Sequence, residues 1–347
     1  MAVLFFTGYP GFLGSELLPR LLTRFSDTTA LCLVQPKFAA LARERARPLG
    51  PRVRFIEGDI TRRIDADPAG VTQIVHLAAL YDLSLPRALG LRINVEGTAN
   101  VLDFAERCQA LERLHYVSTC YVSGRYDGLF REEDLDVGQK FNNFYEETKC
   151  LAEVAVRKRS GLPWTIYRPS VVTGDSVTGA TQKFDGPYFI MQWLLRQPRM
   201  AILPVVGRPK HYRFNVVPRD FIVNAIEHLI AHPEASGRTY QLADPAPLTV
   251  DETIGAIARA THRTVLRIPL PRGMAKFAID RLPGVDRLLR IPSAAVDYFV
   301  QPTSYDTTNA RAALEPAGIR VPSFSDYLPR LVEFALAHPE IGSAAMA

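Results

Sequence analysis

Residues 2–14, Ala2-Val-Leu-Phe-Phe-Thr7-Gly8-Tyr9-Pro10-Gly11-Phe12-Leu13-Gly14, pass without a break from an apolar run into a glycine turn. A continuous apolar run of this length is the pattern of a parallel strand covered on both faces. The following positions Leu13, Leu17, Leu18, Leu21, Leu22 and Phe25 recur at helical spacing. Strand, glycine turn and helix in this order can hold a pyrophosphate. Glycines at 8, 11 and 14 permit the tight turn, close approach of backbone to the anion and close packing of the helix, whose N-terminus favours negative charge. Pro19 falls inside that helix, where it should kink the axis.

Working outward, the next strand is Ala30–Val34, and its end is where an NAD-binding chain places an acid for the ribose hydroxyls. Gln35 stands there. Lys37, Arg43 and Arg45 follow and are candidates to meet a 2′-phosphate, so the expected cofactor leans to NADP(H) over NAD(H). A third strand from Val53 ends in Asp59 and Ile60, with the acid placed for an adenine amino group. A fourth, Gln73–Ala79, ends in Leu77, Ala78 and Ala79, small enough at its tip for a cofactor to lie against it; His76 within it reads as a packed core residue. Ile93-Asn94 opens a helix, with Asn94 either a cap or a group near the sheet.

A fifth strand from Leu114 ends in Ser118-Thr119, a hydroxyl at the edge where open α/β sheets bind ligands. Downstream, Tyr145-Glu146-Glu147-Thr148-Lys149 sets a phenol and an ammonium four apart, on one helix face. Lys149 would lower the Tyr145 pKa by stabilising phenolate, which makes the pair an acid/base candidate with Thr119 as partner. The sixth strand, Trp164–Arg168, leads into Pro169-Ser170-Val171, a loop that would wall a nicotinamide.

The glycine turn, Asp59, Ala78-Ala79, Asn94, Ser118-Thr119, Tyr145-Lys149 and Arg168-Pro169, in this order, resemble the extended short-chain dehydrogenase/reductase family. The resemblance covers residues 1 to about 245. It implies a Rossmann-type domain binding NAD(P)(H), with Thr119, Tyr145 and Lys149 as catalytic residues. It also implies that Thr7, Gly8, Gly11, Phe12, Leu13, Gly14, Gln35, Lys37, Asp59, Ile60 and Leu77 to Ala79 bind the cofactor, with Asn94, Ser118 and Arg168 to Val171 completing its site. Phe12-Leu13-Gly14, Val-Ser-Thr119 and Gly174-Asp-Ser are similar to the branch of acyl-CoA and carrier-thioester reductases, whereas Gln35 departs from the Arg common there. Sugar-nucleotide dehydratases of the family need an acid and a base directly after the catalytic Thr. Cys120 and Tyr121 hold those places, so dehydration is not expected. Epimerases usually carry an Asn where Val171 stands.

The fold class expected is therefore α/β, a doubly wound parallel sheet with a smaller, discontinuous C-terminal substrate domain. Residues 1–175 and 214–244 would form the dinucleotide-binding domain, 176–213 and 245–335 the substrate domain, and 336–347 a tail. Tyr81, Cys120, Tyr121, Lys183, Phe184 and Tyr188 are expected on the substrate side, with apolar walls for a hydrophobic substrate. The function expected is hydride transfer to or from the carbonyl of a hydrophobic acyl thioester, aldehyde or ketone. Nucleotide-sugar epimerisation is the alternative, and a non-catalytic dinucleotide-binding regulator the second. CoA or a carrier protein would suit the basic residues Lys183, Arg208, Lys210, His211 and Arg213, and a homodimer is compatible.

Composition bounds the rest. The chain has 347 residues, 47% hydrophobic, with 41 Lys and Arg against 36 Asp and Glu, for a net charge of +5. That is enough apolar content for a large core, with no Lys/Arg tract interleaved with aromatics to suggest nucleic acid. Cys32, Cys108, Cys120 and Cys150 show no metal or disulfide spacing, so no metal is expected and a reducing cytoplasmic setting fits. The apolar start lacks a basic leader and reads as a buried strand, and no transmembrane span is evident. The segment Arg272–Leu282 reads as a core-facing amphipathic helix.

Overall fold

The computed structural model describes residues 2–281 and 293–342. Strands β1 (Ala2–Thr7), β2 (Thr28–Val34), β3 (Val53–Glu57), β4 (Val71–His76) and β5 (Arg113–Val117) belong to one sheet, and β6 (Gly128–Phe130) lies outside it. Next come β7 (Trp164–Pro169), β8 (Val171–Thr173), β9 (Met200–Val206), β10 (Val216–Pro218), β11 (Thr239–Leu242), β12 (Thr264–Leu270) and β13 (Thr303–Tyr305). The helices are α1 (Gly14–Arg24), α2 (Ala39–Ala46), α3 (Arg87–Gly90), α4 (Gly97–Arg107), α5 (Phe144–Lys158) and α6 (Pro187–Leu195). They continue with α7 (Arg219–Ile230), α8 (Val250–Ala260), α9 (Arg272–Arg281), α10 (Thr308–Leu314) and α11 (Phe324–Ala337).

The main sheet has seven parallel strands in the order β11-β7-β5-β4-β1-β2-β3. Both faces are covered, as the unbroken apolar strands require. On one face Leu17, Leu21, Phe221, Ile222 and Leu229 of α1 and α7 pack with Phe6 and Val34. On the other, Val101, Phe104, Ala152 and Val156 of α4 and α5 pack with Phe5, Ile74 and Ile166. The strand order reverses at β1, so the crevice between β1 and β4 is the switch point at which open sheets of this kind bind ligands. Helix α1 continues through Pro19, and nothing in the structure explains the proline.

A second apolar cluster joins α6, β9, α8 and α11 through Tyr188, Met191, Leu203, Ile254, Leu328 and Leu331. Three two-stranded parallel ladders, β8–β10, β9–β12 and β6–β13, lie outside the main sheet, and β9–β12 belongs to this second cluster.

Helix α9 differs from expectation. Met274 and Phe277 are exposed, whereas Arg272 and Lys276, one turn apart, reach the buried Asp297 at 2.7 and 3.0 Å. A buried carboxylate needs cationic partners, and meeting that need turns the two cations inward and the large apolar side chains out. Leu282 lies outside the described residues. Among the described residues no helix is long and apolar enough to cross a membrane.

Candidate active site

The glycine turn folds back on itself. Gly11 N donates to Gly8 O at 2.9 Å, and Gly8 has φ +91°. A Cβ at Gly8 would stand 2.8 Å from the Leu77 Cβ, and one at Gly14 would stand 2.5 Å from Gly8 O. No other residue type fits either position without moving backbone. The bare turn and the N-terminus of α1 form one end of a cavity of about 620 Å³ that runs across the switch point. A dinucleotide suits this cradle, because its backbone at Gly8, Gly11 and Gly14 carries no Cβ and so is open to an anion.

Helix α5 sets the other end. Asn143 caps it, its side chain accepting from Glu146 N at 3.0 Å, while Glu146 and Glu147 in the first turn and Arg157 and Lys158 in the last complement the dipole. Tyr145 and Lys149 then lie one turn apart on the buried face, 8% and 2% exposed, and both line the cavity. Thr119 follows β5, lines the same cavity and lies beside the Tyr145 hydroxyl. All three residues line one cavity.

Their electrostatics differ from expectation. Burial pushes the Tyr145 phenol well up, with the Thr119 hydrogen bond opposing and Glu146 and Asp185 adding to the rise. Burial also brings the Lys149 ammonium down to about 7. Lys149 Nζ points away from the phenol, donating to the Tyr116 hydroxyl at 2.7 Å and to Val117 O at 2.9 Å. The anticipated lowering of Tyr145 by Lys149 is thus absent from this arrangement.

Of the residues expected around a cofactor, Gly8, Gly11, Phe12, Leu13, Gly14, Gln35, Lys37, Ile60, Leu77, Ala78, Ala79 and Ser118 line the cavity, as do Pro169, Ser170 and Val171. Thr7 does not; its buried hydroxyl is bonded to His76 Nδ1 at 2.7 Å and accepts from Ala78 N at 3.2 Å, which ties the ends of β1 and β4 together. His76 is enclosed, and its imidazole is held neutral by burial and then by the nearby Lys149, down to about 3. Asp59 stands just behind the cavity wall, accepting from Gln35 Nε2 at 2.7 Å and Thr61 N at 2.8 Å. Arg43 pairs with Glu57 and Arg45 holds Pro10 O, leaving Lys37 as the cavity-lining member of the three cations considered for a 2′-phosphate. Asn94 is buried in a π-helical turn, accepting from Leu80 N at 2.9 Å and donating to Thr148 Oγ1 at 3.1 Å. It braces the loop after β4 against α5.

Arg168 is the plainest correction. Expected in the nicotinamide wall, it is fully buried, paired with Glu153 at 2.7 Å, and donates to Asp134 O at 2.6 Å. Ser118 donates to the same carboxylate at 2.6 Å. The network locks β5, β7 and α5 together beneath the cavity.

On the substrate side Tyr81, Tyr121 and Lys183 line the cavity, while Cys120, Phe184 and Tyr188 do not. Cys120 is buried with its thiol directed at Arg168 O and its pKa pushed up by burial, so it offers neither acid nor base. Phe184 and Tyr188 fill the second apolar cluster, and the Tyr188 hydroxyl accepts from Gly174 N at 3.1 Å. Tyr9, Phe38, Leu80, Ile93, Gln182 and Asp185 also line the cavity and were not anticipated. Asp185 carried a signal in retrospect, an acid two residues beyond Lys183 in an otherwise apolar stretch.

A family model described as "Male sterility protein", an NAD-binding domain, matches residues 6–226. The aldehyde reductase lnbA of Aspergillus flavus is 25% identical over 311 residues, which are 80% of this chain and 30% of that protein. The L-2-aminoadipate reductase large subunit of Penicillium chrysogenum is 28% identical over 276 residues, 67% of this chain and 19% of that protein. The chain spans between 5 and 34% of the length of such curated relatives. Among solved structures, the terminal R domain from the myxalamid PKS-NRPS biosynthetic pathway superposes with a TM-score of 0.81 at 25% identity, covering 98% of this chain and 91% of that one. Nucleotide-sugar enzymes share the fold alone, as in the UDP-glucuronic acid 4-epimerase of Bacillus cereus with a TM-score of 0.69 at 18% identity. A model matching well over half of the sequence, on a sheet, glycine turn and cavity of this form, places the chain in the male sterility protein family, a branch of the extended short-chain dehydrogenase/reductases, which are NAD(P)-dependent oxidoreductases.

Proposed function

We propose that the chain uses NAD(P)H to reduce the carbonyl of a hydrophobic acyl thioester or aldehyde, with Thr119, Tyr145 and Lys149 as its catalytic residues. The observation that carries this reading is that Thr119, Tyr145 and Lys149 together line the cavity that begins at the glycine turn. When bound, the nicotinamide supplies the hydride. A carbonyl oxygen becomes an alkoxide as its carbon is attacked, and a protonated phenol is the donor that oxygen needs. Thr119 bonds the same oxygen and so orients it. The Lys149 ammonium, turned from the Tyr116 hydroxyl toward the phenol, would then favour the phenolate left behind. For a thioester, protonation gives a hemithioacetal that expels the thiol and leaves the aldehyde. Similarity to an aldehyde reductase and to the terminal R domain supports this substrate class, as does Val171 on the cavity wall where epimerases need an amide. Such a thioester would come on CoA or on a carrier protein. Four free, buried cysteines suit a reducing, cytoplasmic setting.

The reading is tested by following nicotinamide absorbance with octanal, long-chain acyl-CoAs, ketones and UDP-sugars in parallel. Oxidation of NAD(P)H by the aldehyde or thioester is expected. Interconversion of a UDP-sugar without net cofactor consumption would overturn the reading, and so would stoichiometric cofactor binding with no turnover on any substrate.

The cofactor preference is a second expectation. Gln35 presents an amide where NAD-binding chains carry an acid, and Lys37 lines the cavity beside it, so NADP(H) should bind several-fold more tightly, about 1 kcal/mol. Fluorescence titration with both cofactors measures this. A tenfold preference for NAD(H) would contradict it.

A further inference from the structure

The substrate end of the cavity holds a half-buried charge cluster that the triad does not use. Asp185, in the loop before α6, lies 3.2 Å from Lys183 Nζ and has the Tyr81 hydroxyl beside its carboxyl. Lys183 Nζ stands 4.1 Å from the centre of the Tyr81 ring. The Tyr81 ring in turn meets the Tyr145 ring edge-on, with centroids 4.9 Å apart and an interplanar angle of 72°. All four residues line the cavity. Tyr81 comes from the loop after β4, so the cluster also joins two segments a hundred residues apart in the chain.

Helix capping does not account for Asp185. The residue precedes α6 but its side chain makes no capping hydrogen bond there, since Gly186 is the N-cap residue and the helix lacks a side-chain cap. Its side chain is nonetheless only 15% exposed, and burial raises its pKa against the pull of Lys183 and Tyr81. Burying a carboxylate beside a proton donor is costly, and such arrangements concentrate at functional sites.

Resting on the function proposed above, we propose that Asp185 is a positioning residue for the reduction: by holding Tyr81 and Lys183 it fixes the ring against which Tyr145 packs and places a negative charge beside the phenol. Two acids act on the phenol through their charge, Glu146, the next residue on its helix, and Asp185 from the loop before α6, while Thr119 lies beside it and Tyr81 packs on it. Lys149 is turned toward Tyr116, and Lys183 toward Asp185 and Tyr81. After burial, Glu146 and Asp185 oppose ionisation of the phenol, which keeps it a proton donor and so favours reduction.

The test compares D185N, D185E and Y81F with the native chain, using octanal and NADPH. D185N should lower kcat roughly 10–100-fold, because small misplacements of a catalytic group cost that much. Its KM for octanal should change less than threefold, and its affinity for NADPH less than twofold. Because removal of the charge eases ionisation of Tyr145, the basic limb of its kcat–pH profile should move to lower pH. Y81F should lose kcat while leaving that limb in place, since the charge stays, and D185E should recover part of the loss. Native kcat in D185N, or a loss of kcat with the basic limb unmoved, would overturn the proposal. Should D185N not fold, native kcat in Y81F would overturn it equally. A native chain that reduces no carbonyl sinks the function proposed above, whereas failure of this inference is read only against a native chain that turns over.

Discussion

Replacing Tyr145 by Phe is expected to lower kcat for octanal or acyl-CoA reduction by roughly 10²–10⁴-fold, the usual contribution of a positioned general acid. The ring is 8% exposed and packs edge-on against Tyr81, and Phe keeps both the burial and the ring contact. The hydroxyl it deletes lies beside Thr119, whose own hydroxyl keeps a contact to Pro169 O at 3.4 Å, so the variant should fold normally. The cradle formed by Gly8, Gly11 and Gly14 is unaffected, and the dissociation constant for NADPH should stay within about twofold. Pre-steady-state absorbance with saturating NADPH separates the chemical step from product release. Wild-type turnover in a variant that binds cofactor normally would remove Tyr145 from the acid role.

The features readable from the chain were those set by local sterics and short spacing. The glycine turn is one, because Gly8 at φ +91° and Gly14 against Gly8 O admit no side chain whatever the rest of the fold does. Tyr145 and Lys149 are another, since four residues on a capped helix share a face. The strands of the main sheet were readable as apolar runs because both of their faces are covered. Features that depend on which distant segments meet were not. Three-residue strands such as β6 and β13 show no alternation, so their pairing, Gly128 with Thr303 and Phe130 with Tyr305, leaves no trace in either segment. The Tyr81–Asp185–Lys183 cluster joins two loops that only the fold brings together. The outward turn of α9 is decided by Asp297, a carboxylate that helical periodicity within α9 cannot register. Arg168 was misread for the same reason: a cation at the end of a strand by a ligand crevice looks like a ligand group until its partner is seen.

That partner makes Arg168→Met the substitution with the largest expected effect on stability. Arg168 is fully buried, its guanidinium bonded to Glu153 through Nε at 3.1 Å and through NH2 at 2.7 Å, with a further bond to Asp134 O. Burial alone would raise the Glu153 carboxyl; Arg168 first, then Arg157 and Ser118, bring it below its ordinary value. Met fills a similar volume but leaves the carboxylate with Arg157 at 3.0 Å and Ser118, and leaves the Asp134 carbonyl without its donor. Removing one member of a buried pair costs about 3–5 kcal/mol, a drop in melting temperature on the order of 5 °C or more. The pH dependence has a definite sign. In the native chain the folded pKa of Glu153 is depressed, so its stabilisation is present above the unfolded carboxylate pKa and is lost as pH falls. In the variant burial dominates and the folded pKa rises, so the deficit should be larger at pH 8 than at pH 5. Adding Glu153→Gln removes the stranded charge and should recover part of the loss, a coupling that a double-mutant cycle of thermal melts would measure. NADPH affinity of the folded Arg168→Met protein at low temperature should stay within about threefold of native, because the guanidinium lies beneath the cavity and not on its wall. A variant as stable as the native chain but unable to bind NADPH would return Arg168 to the cofactor site.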